Sequence, residues 1–295
     1  MNKLLFDKIK ESGRNIDLLL IQNLEFDKSV EIIKELRKYQ NVDLGFGNSL
    51  EPDVRVPSST VLCTNMAVNI LEELKYSNEK EKLIKEIIDY YEMVFDYDNY
   101  CFTLTTPDVN NYPRAIWWNY ESVEDFDYLN PNPEICGFLN KYHQFVSRID
   151  LKRFNKMVIA AIIGDKFCDS SMHSLLSVLA YYDRSENVIK NKVCPYIKMK
   201  VDNMIKNYDT NSDTYTFEPV DAYVVSSKFV NGFEKELEQN IQRIESILNS
   251  DKLIYPKWTW YQYDDYFEKN AKPEWASYLT FKAFKVVEKY NKKRG

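Results

Sequence analysis

The sequence predicts an all-α chain whose helical hairpins close into an α/α toroid, one domain over residues 1–295. Three observations predict it. Apolar residues recur at helical spacing in four separate stripes. Helix-start residues punctuate those stripes, so that helices follow one another as hairpins. Seven glycines are too few for a turn-rich β protein or a glycine-loop nucleotide enzyme. The intervening loops carry Pro, Asn, Asp and aromatic residues. An open superhelix has little use for such loops, whereas a ring closed around a cavity does. About ten to twelve helices and almost no strand are expected.

Taken in order, Val30, Ile33, Leu36 and Tyr39 make the first stripe. A turn holding Gly45 and Gly47 follows, and Ser58 is placed to cap a helix over Ser59 to Lys75. Leu83, Ile84, Ile87, Ile88 and Tyr91 form the second stripe. Asn132-Pro133-Glu134 reads as a helix start: Asn caps, Pro tolerates the first turn, and Glu meets the positive helix end. Phe154, Val158, Ile159 and Ile162 form the third stripe, and Asp169-Ser170-Ser171 opens a helix from Met172 to Tyr182. Pro219 to Ser227 introduces the next helical region. Phe233, Leu237, Ile241, Ile244 and Leu248 step by four, four, three and four. Lys272-Pro273-Glu274 is read as opening the last helix.

Charge and cysteines narrow the partners. The net charge is −6, with Lys and Arg interspersed among Asp and Glu. No continuous positive stripe is present, which argues against nucleic acid. Five cysteines, odd in number and without a C-x-x-C, read as reduced thiols of a cytoplasmic protein. The first residues lack an apolar core of signal-peptide length, and no run approaches a membrane span; Met157 to Ile163 is the longest.

The segment Gln40-Asn41-Val42-Asp43-Leu44-Gly45-Phe46-Gly47, followed by Leu50-Glu51-Pro52-Asp53 and Pro57-Ser58-Ser59, carries a family resemblance. Asn111-Tyr112-Pro113-Arg114-Ala115-Ile116-Trp117-Trp118, Asn132 to Leu139, Trp258-Thr259-Trp260 and Trp275 to Phe284 extend it. Together these resemble the repeats of squalene cyclases and protein prenyltransferases, and above all the bacterial prenyltransferase and squalene-oxidase repeat-like proteins. In that grammar a Gln caps a helix, a glycine turn follows, and an aromatic ring stacks beneath. The resemblance implies the terpenoid cyclase/protein prenyltransferase toroid and an isoprenoid-like ligand. There are departures. Leu44 stands where the turn expects glycine, and Arg114 stands where the Pro-His-Ala-Pro-Trp-Trp pattern has histidine. Neither Asp96-Tyr97-Asp98 nor Tyr263-Asp264-Asp265 is the Asp-x-Asp-Asp acid of the cyclases. His143 and His173 are the only histidines and have no zinc-ligand spacing.

Candidate site residues sit in the loops. Trp117 and Trp118 offer flat π faces to line an apolar cavity, stabilise a cation or stack on a sugar; one in the core and one packing the loop is the alternative. Glu51, Asp53 and Asp108 can supply paired carboxylates for acid and base work, or merely cap turns. Arg114 can hold a phosphate or carboxylate, or pair with Asp108. Asn110 joins it as a ligand-binding candidate. His173, at a helix start, is a candidate general base or a structural histidine. His143 reads as packing or surface. Trp258 and Trp260, with Tyr261 and Tyr263, form an aromatic cluster that plugs or rims the ring. Asp264-Asp265-Tyr266-Phe267 is like an Asp-Asp-x-x-Phe magnesium motif, but the second metal-binding cluster is missing, so no metal is assigned. No cofactor is assigned either. Three functions remain open: a hydrophobic small-molecule binder or enzyme, a carbohydrate-active toroid using paired carboxylates, and a non-enzymatic scaffold.

Overall fold

The computed structural model describes residues 3–120, 127–209 and 213–294. Within these residues the chain is helical, and its extended contacts are isolated bridges, not strands. The longer helices are α1 (Lys3–Ser12), α2 (Asn15–Asn23), α3 (Ser29–Leu36), α4 (Val61–Glu72), α5 (Asn78–Val94), α6 (Asn132–Lys141) and α7 (Leu151–Ile163). After the one-turn α8 (Lys166–Asp169) come α9 (Met172–Arg184) and α10 (Asn187–Lys206). Then follow α11 (Pro219–Tyr223), α12 (Glu234–Asn249), α13 (Asp264–Tyr266) and α14 (Lys272–Arg294).

Local chemistry sets the starts. Thr60, Ser77, Asp150 and Ser171 each accept a backbone N–H of the first turn, opening α4, α5, α7 and α9. Glu218 and Asp221 make a reciprocal capping box on α11. Three expected starts change. Asn132 caps nothing: it is the first residue of α6, and its Oδ1 accepts the Phe102 N–H at 2.8 Å. Ser58 bonds the Asp108 carboxylate, and the N–H of Thr60 is spent on the carbonyl of Phe46 at 2.9 Å, so α4 begins two residues later than expected. Lys272 opens nothing, because the chain is already helical from Asp264. A π-helical turn, Phe267–Ala271, leads straight into α14. Pro273 explains that turn: it has no N–H to close the regular bond back to the Lys269 carbonyl.

Of the first stripe, Ile33 and Leu36 are buried but Val30 is 69% exposed. The other stripes face one contiguous core. The glycine turn is tight for a definable reason. A Cβ on Gly47 would lie 2.3 Å from the carbonyl oxygens of Pro57 and Ser58. Leu44, the departure from glycine, has φ of 71° and keeps the left-handed conformation that glycine would adopt freely. Gln40 donates to its carbonyl at 3.0 Å.

Neighbouring helices pack in order. α1 meets α2, α2 meets α3, α3 meets α5, and α5 meets α4. Tyr91 of α5 sets its ring edge-on to Phe138 of α6. α6 packs on α7 and α9, α9 on α10, α11 on α12, and α12 on α14. α14 then returns to α1 and α2. Cys63, Cys101 and Cys136 are buried free thiols, and Cys168 and Cys194 are half-buried and free. Among the described residues no helix is long and apolar enough to cross a membrane, and no group of His, Cys, Asp and Glu has metal-binding geometry.

Candidate functional site

The site forms where the loop after the glycine turn meets the C-terminal segment. Residues 53–55 run alongside 113–115. The Ala115 N–H donates to the Asp53 carbonyl at 2.9 Å, and Arg55 N–H to Pro113 at 3.1 Å. The Ile116 N–H then reaches the carbonyl of Trp260 at 3.1 Å, which fastens the 258–262 segment on top.

Asp53 is the anchor. Its Oδ1 accepts the indole N–H groups of Trp260 and Trp275, both at 2.6 Å, and its Oδ2 accepts that of Trp258 at 3.2 Å. Three of the four lone-pair directions of one buried carboxylate are therefore taken by tryptophans. Glu51 lies beside it, and its Oε2 accepts the Asp53 backbone N–H at 2.7 Å. Burial, then the neighbouring Asp53 carboxylate, pushes the Glu51 carboxyl well above its ordinary range. Burial also raises Asp53 to about 6, against the pull of the three indole bonds and Arg55. Arg55 closes the far side. Its guanidinium lies 5.8 Å from the Trp260 ring and 5.3 Å from the Tyr266 ring, and pairs with Glu274 at 2.9 Å.

A line of rings leads away from Asp53. His173 lies 5.8 Å from Tyr215, Tyr215 4.5 Å from Trp258, Trp258 5.2 Å from Trp275, and Trp275 6.1 Å from Tyr278. Trp260 is fully buried, whereas Trp258, Trp275 and Tyr278 are half-buried and Tyr215 is 42% exposed. Two clefts open beside them. One, of about 250 Å³, is lined by Trp258, Tyr261 and Phe267 with Lys257, Glu268 and Lys272. The other, of about 420 Å³, lies against Tyr263 to Tyr266.

The candidate residues divide accordingly. Glu51, Asp53, Trp258 and Trp260 are brought together. Trp118 packs on the small cluster of Ala115, Trp260 and Phe267. The expected catalytic trio does not form one constellation. Asp53 spends three of its acceptor positions on indole N–H groups, which is the turn- and loop-bonding alternative to its expected catalytic role. Asp108 accepts from the hydroxyls of Ser58 and Thr106. Partial burial works to raise its pKa, and those two bonds outweigh it and hold the carboxyl below its ordinary range. Among the described residues, His173 meets the ring line at Tyr215; its crowded setting lowers its pKa and Asp127 partly offsets this. Arg114 is buried and donates to the carbonyls of Asn110 and Tyr112, both at 3.0 Å, and not to Asp108. Asn110 is a loop clip: it accepts the Tyr120 N–H and donates to the Tyr120 carbonyl. Trp117 is 42% exposed and meets the ring of Tyr261 at 6.3 Å, away from Asp53. Trp275 entered the sequence reading only as the start of a motif segment and not as a site residue, and Tyr215 and Arg55 escaped it.

No protein-family model matches the chain, and neither does any curated protein or solved structure.

Proposed function

We propose that the helices close into an α/α ring, and that Tyr215, Trp258, Trp275 and Tyr278 form one wall of a pocket for a hydrophobic small molecule of isoprenoid character. Closure is supported by the return of α14 onto α1 and α2 after the stepwise packing of the intervening helices. The glycine-turn grammar from Gln40 to Gly47 supports kinship with terpenoid cyclase and protein prenyltransferase rings.

The observation that carries the pocket is the run of rings beside the smaller cleft: Trp258 lines it, with Tyr215 at 4.5 Å and Trp275 at 5.2 Å from the Trp258 ring. The adjoining cleft of about 250 Å³ is below the roughly 300–1,000 Å³ of drug-sized pockets, so it takes part of a ligand, on the scale of one or two isoprene units. The paired-carboxylate chemistry of a carbohydrate enzyme finds no support, since Glu51, Asp53 and Asp108 all accept hydrogen bonds from the protein itself.

Native mass spectrometry with farnesol and farnesyl diphosphate tests this reading. Retention of either compound by the protein, and its loss in Tyr215→Ala, is the expected result. If neither is retained, the chain is better read as a scaffold.

A further inference from the structure

We infer that the exposed aromatic edge around Tyr263 and Tyr266 is a carbohydrate-binding surface, which takes a neutral oligosaccharide in the cleft lined by Tyr263, Asp264, Asp265 and Tyr266. It is a different site from the pocket proposed above and does not rest on it.

Exposure is the first support. Tyr261 is 70% and Tyr263 48% exposed, and Ile116, Trp117 and Tyr266 are exposed as well. Trp117 meets the Tyr261 ring, so these side chains share one area of surface. Single exposed rings are ordinary, whereas four in one area mark a contact surface.

The backbone that carries the rings is the second support. Tyr261 and Tyr263 have φ of 57° and 51°. That conformation is unfavourable for a bulky side chain and free for glycine. Turn formation alone would be served better by glycine, so it accounts for the backbone and not for the two tyrosines. The strain is held from both sides. Gln262 donates to the Arg114 carbonyl at 2.9 Å and to Asn119 Oδ1 at 3.1 Å. The Tyr263 carbonyl accepts the N–H groups of Tyr266 and Phe267 at 2.9 and 3.0 Å. Tyr266 stacks on the buried Trp260 at 15° with centroids 5.8 Å apart. Rings fixed in this way lose little freedom when a ligand arrives.

The lining of the cleft is the third support. Its volume, about 420 Å³, falls within the roughly 300–1,000 Å³ of small-molecule sites. Two tyrosines and two carboxylates line it. The side chains of Asp264 and Asp265 are exposed and make no hydrogen bond or ion pair among the described residues. A pyranose matches both parts of this lining. Its C–H face packs on an aromatic ring, and its hydroxyls donate to carboxylate oxygens. An apolar ligand would strip water from two carboxylates and give them no partner. An acidic sugar would be repelled by them. An extended peptide finds no strand edge, because the N–H groups of Ile116, Trp118, Tyr261, Tyr266 and Phe267 are spent within the protein.

The test is isothermal titration with cellohexaose, chitohexaose, xylohexaose and maltohexaose. A galacturonic acid hexamer and an arginine-containing, proline-rich decapeptide serve as comparisons. At least one neutral hexasaccharide is expected to bind, and to bind more tightly than the acidic hexamer. Tyr263→Ala should weaken that binding about tenfold, the scale of one lost aromatic contact, while Tyr263→Phe keeps it. Asp264→Asn with Asp265→Asn should weaken it severalfold. These residues stand in solvent, so the variants are expected to fold, which circular dichroism checks. Failure of all four neutral hexasaccharides to bind overturns the inference. So does binding that is undiminished in both Tyr263→Ala and Tyr266→Ala, or tighter binding of the acidic hexamer. Binding of the decapeptide with no binding of sugar also overturns it and makes this edge a protein-docking surface.

Discussion

Asp53 Oδ1 accepts the indole N–H of Trp275 at 2.6 Å, and 222 positions separate the two residues in the chain. This bond ties the loop after the glycine turn to the first turns of α14. Through the same carboxylate, Trp258 and Trp260 are held as well. Both ends of the chain thus share one buried acceptor, and the account of the site depends on it.

Removing that acceptor strands three indole donors. Asp53→Ala is expected to lower the free energy of unfolding by about 3 kcal/mol, because each buried unpaired donor costs roughly 1–3 kcal/mol and loss of a buried charge offsets part of the total. Asp53→Asn keeps a carbonyl oxygen for Trp260 and Trp275, so it should cost less than the alanine variant. Urea unfolding of both variants checks the order. Equal stability of Asp53→Ala and the parent would show that the triple bond contributes nothing.

The pH dependence has a defined sign. Asp53 rises from 3.8 to about 6 on folding, and Glu51 is raised as well. The folded state therefore binds protons that the unfolded chain has released. The stabilisation from these protonated carboxyls is complete below the unfolded pKa, and it is lost as pH climbs through about 6 and beyond. The destabilisation caused by Asp53→Asn should accordingly be larger at pH 5 than at pH 8. A constant difference across that range would contradict the raised pKa.

Two tryptophans read alike in sequence should behave unlike each other. Trp260 is fully buried, and Trp260→Ala should cost about 3–5 kcal/mol. Trp117 is 42% exposed and lies beside Tyr261, so Trp117→Ala should cost about 0.5 kcal/mol and leave farnesol binding unchanged. Thermal unfolding separates the two. A large loss at Trp117 would place it in the core instead.

Gly47→Ala should destabilise by about 2 kcal/mol or more, since its methyl would meet two backbone carbonyls at 2.3 Å that no side-chain rotation can relieve. Circular dichroism against urea would reveal it, and a neutral substitution would mean that the turn relaxes.

The helices were legible because their apolar period is local. Leu83, Ile84, Ile87 and Ile88 face the core as the spacing requires. Val30 departs from the expectation because the buried face of α3 runs through Ser29, Ile32, Ile33 and Leu36, which turns Val30 to solvent. The start at Ser58 failed for a tertiary reason: its hydroxyl is claimed by Asp108, fifty residues on. Within the site, Glu51, Asp53, Trp258 and Trp260 were recognisable as unusual residues in loops. Their partnership was not, because no local pattern joins positions 53 and 275. Tyr215 was invisible for the same reason: its value lies in a contact with Trp258, and a tyrosine in a polar loop carries no such mark.

The most direct test is an indole ¹H–¹⁵N spectrum of the protein, in which its five tryptophans each give one N–H signal, recorded during titration with farnesol. The account predicts that the Trp258 and Trp275 signals shift while those of Trp117 and Trp118 hold still. Movement of Trp117 with Trp258 and Trp275 unmoved, or no movement at all, would contradict a pocket walled by the tryptophans of Asp53.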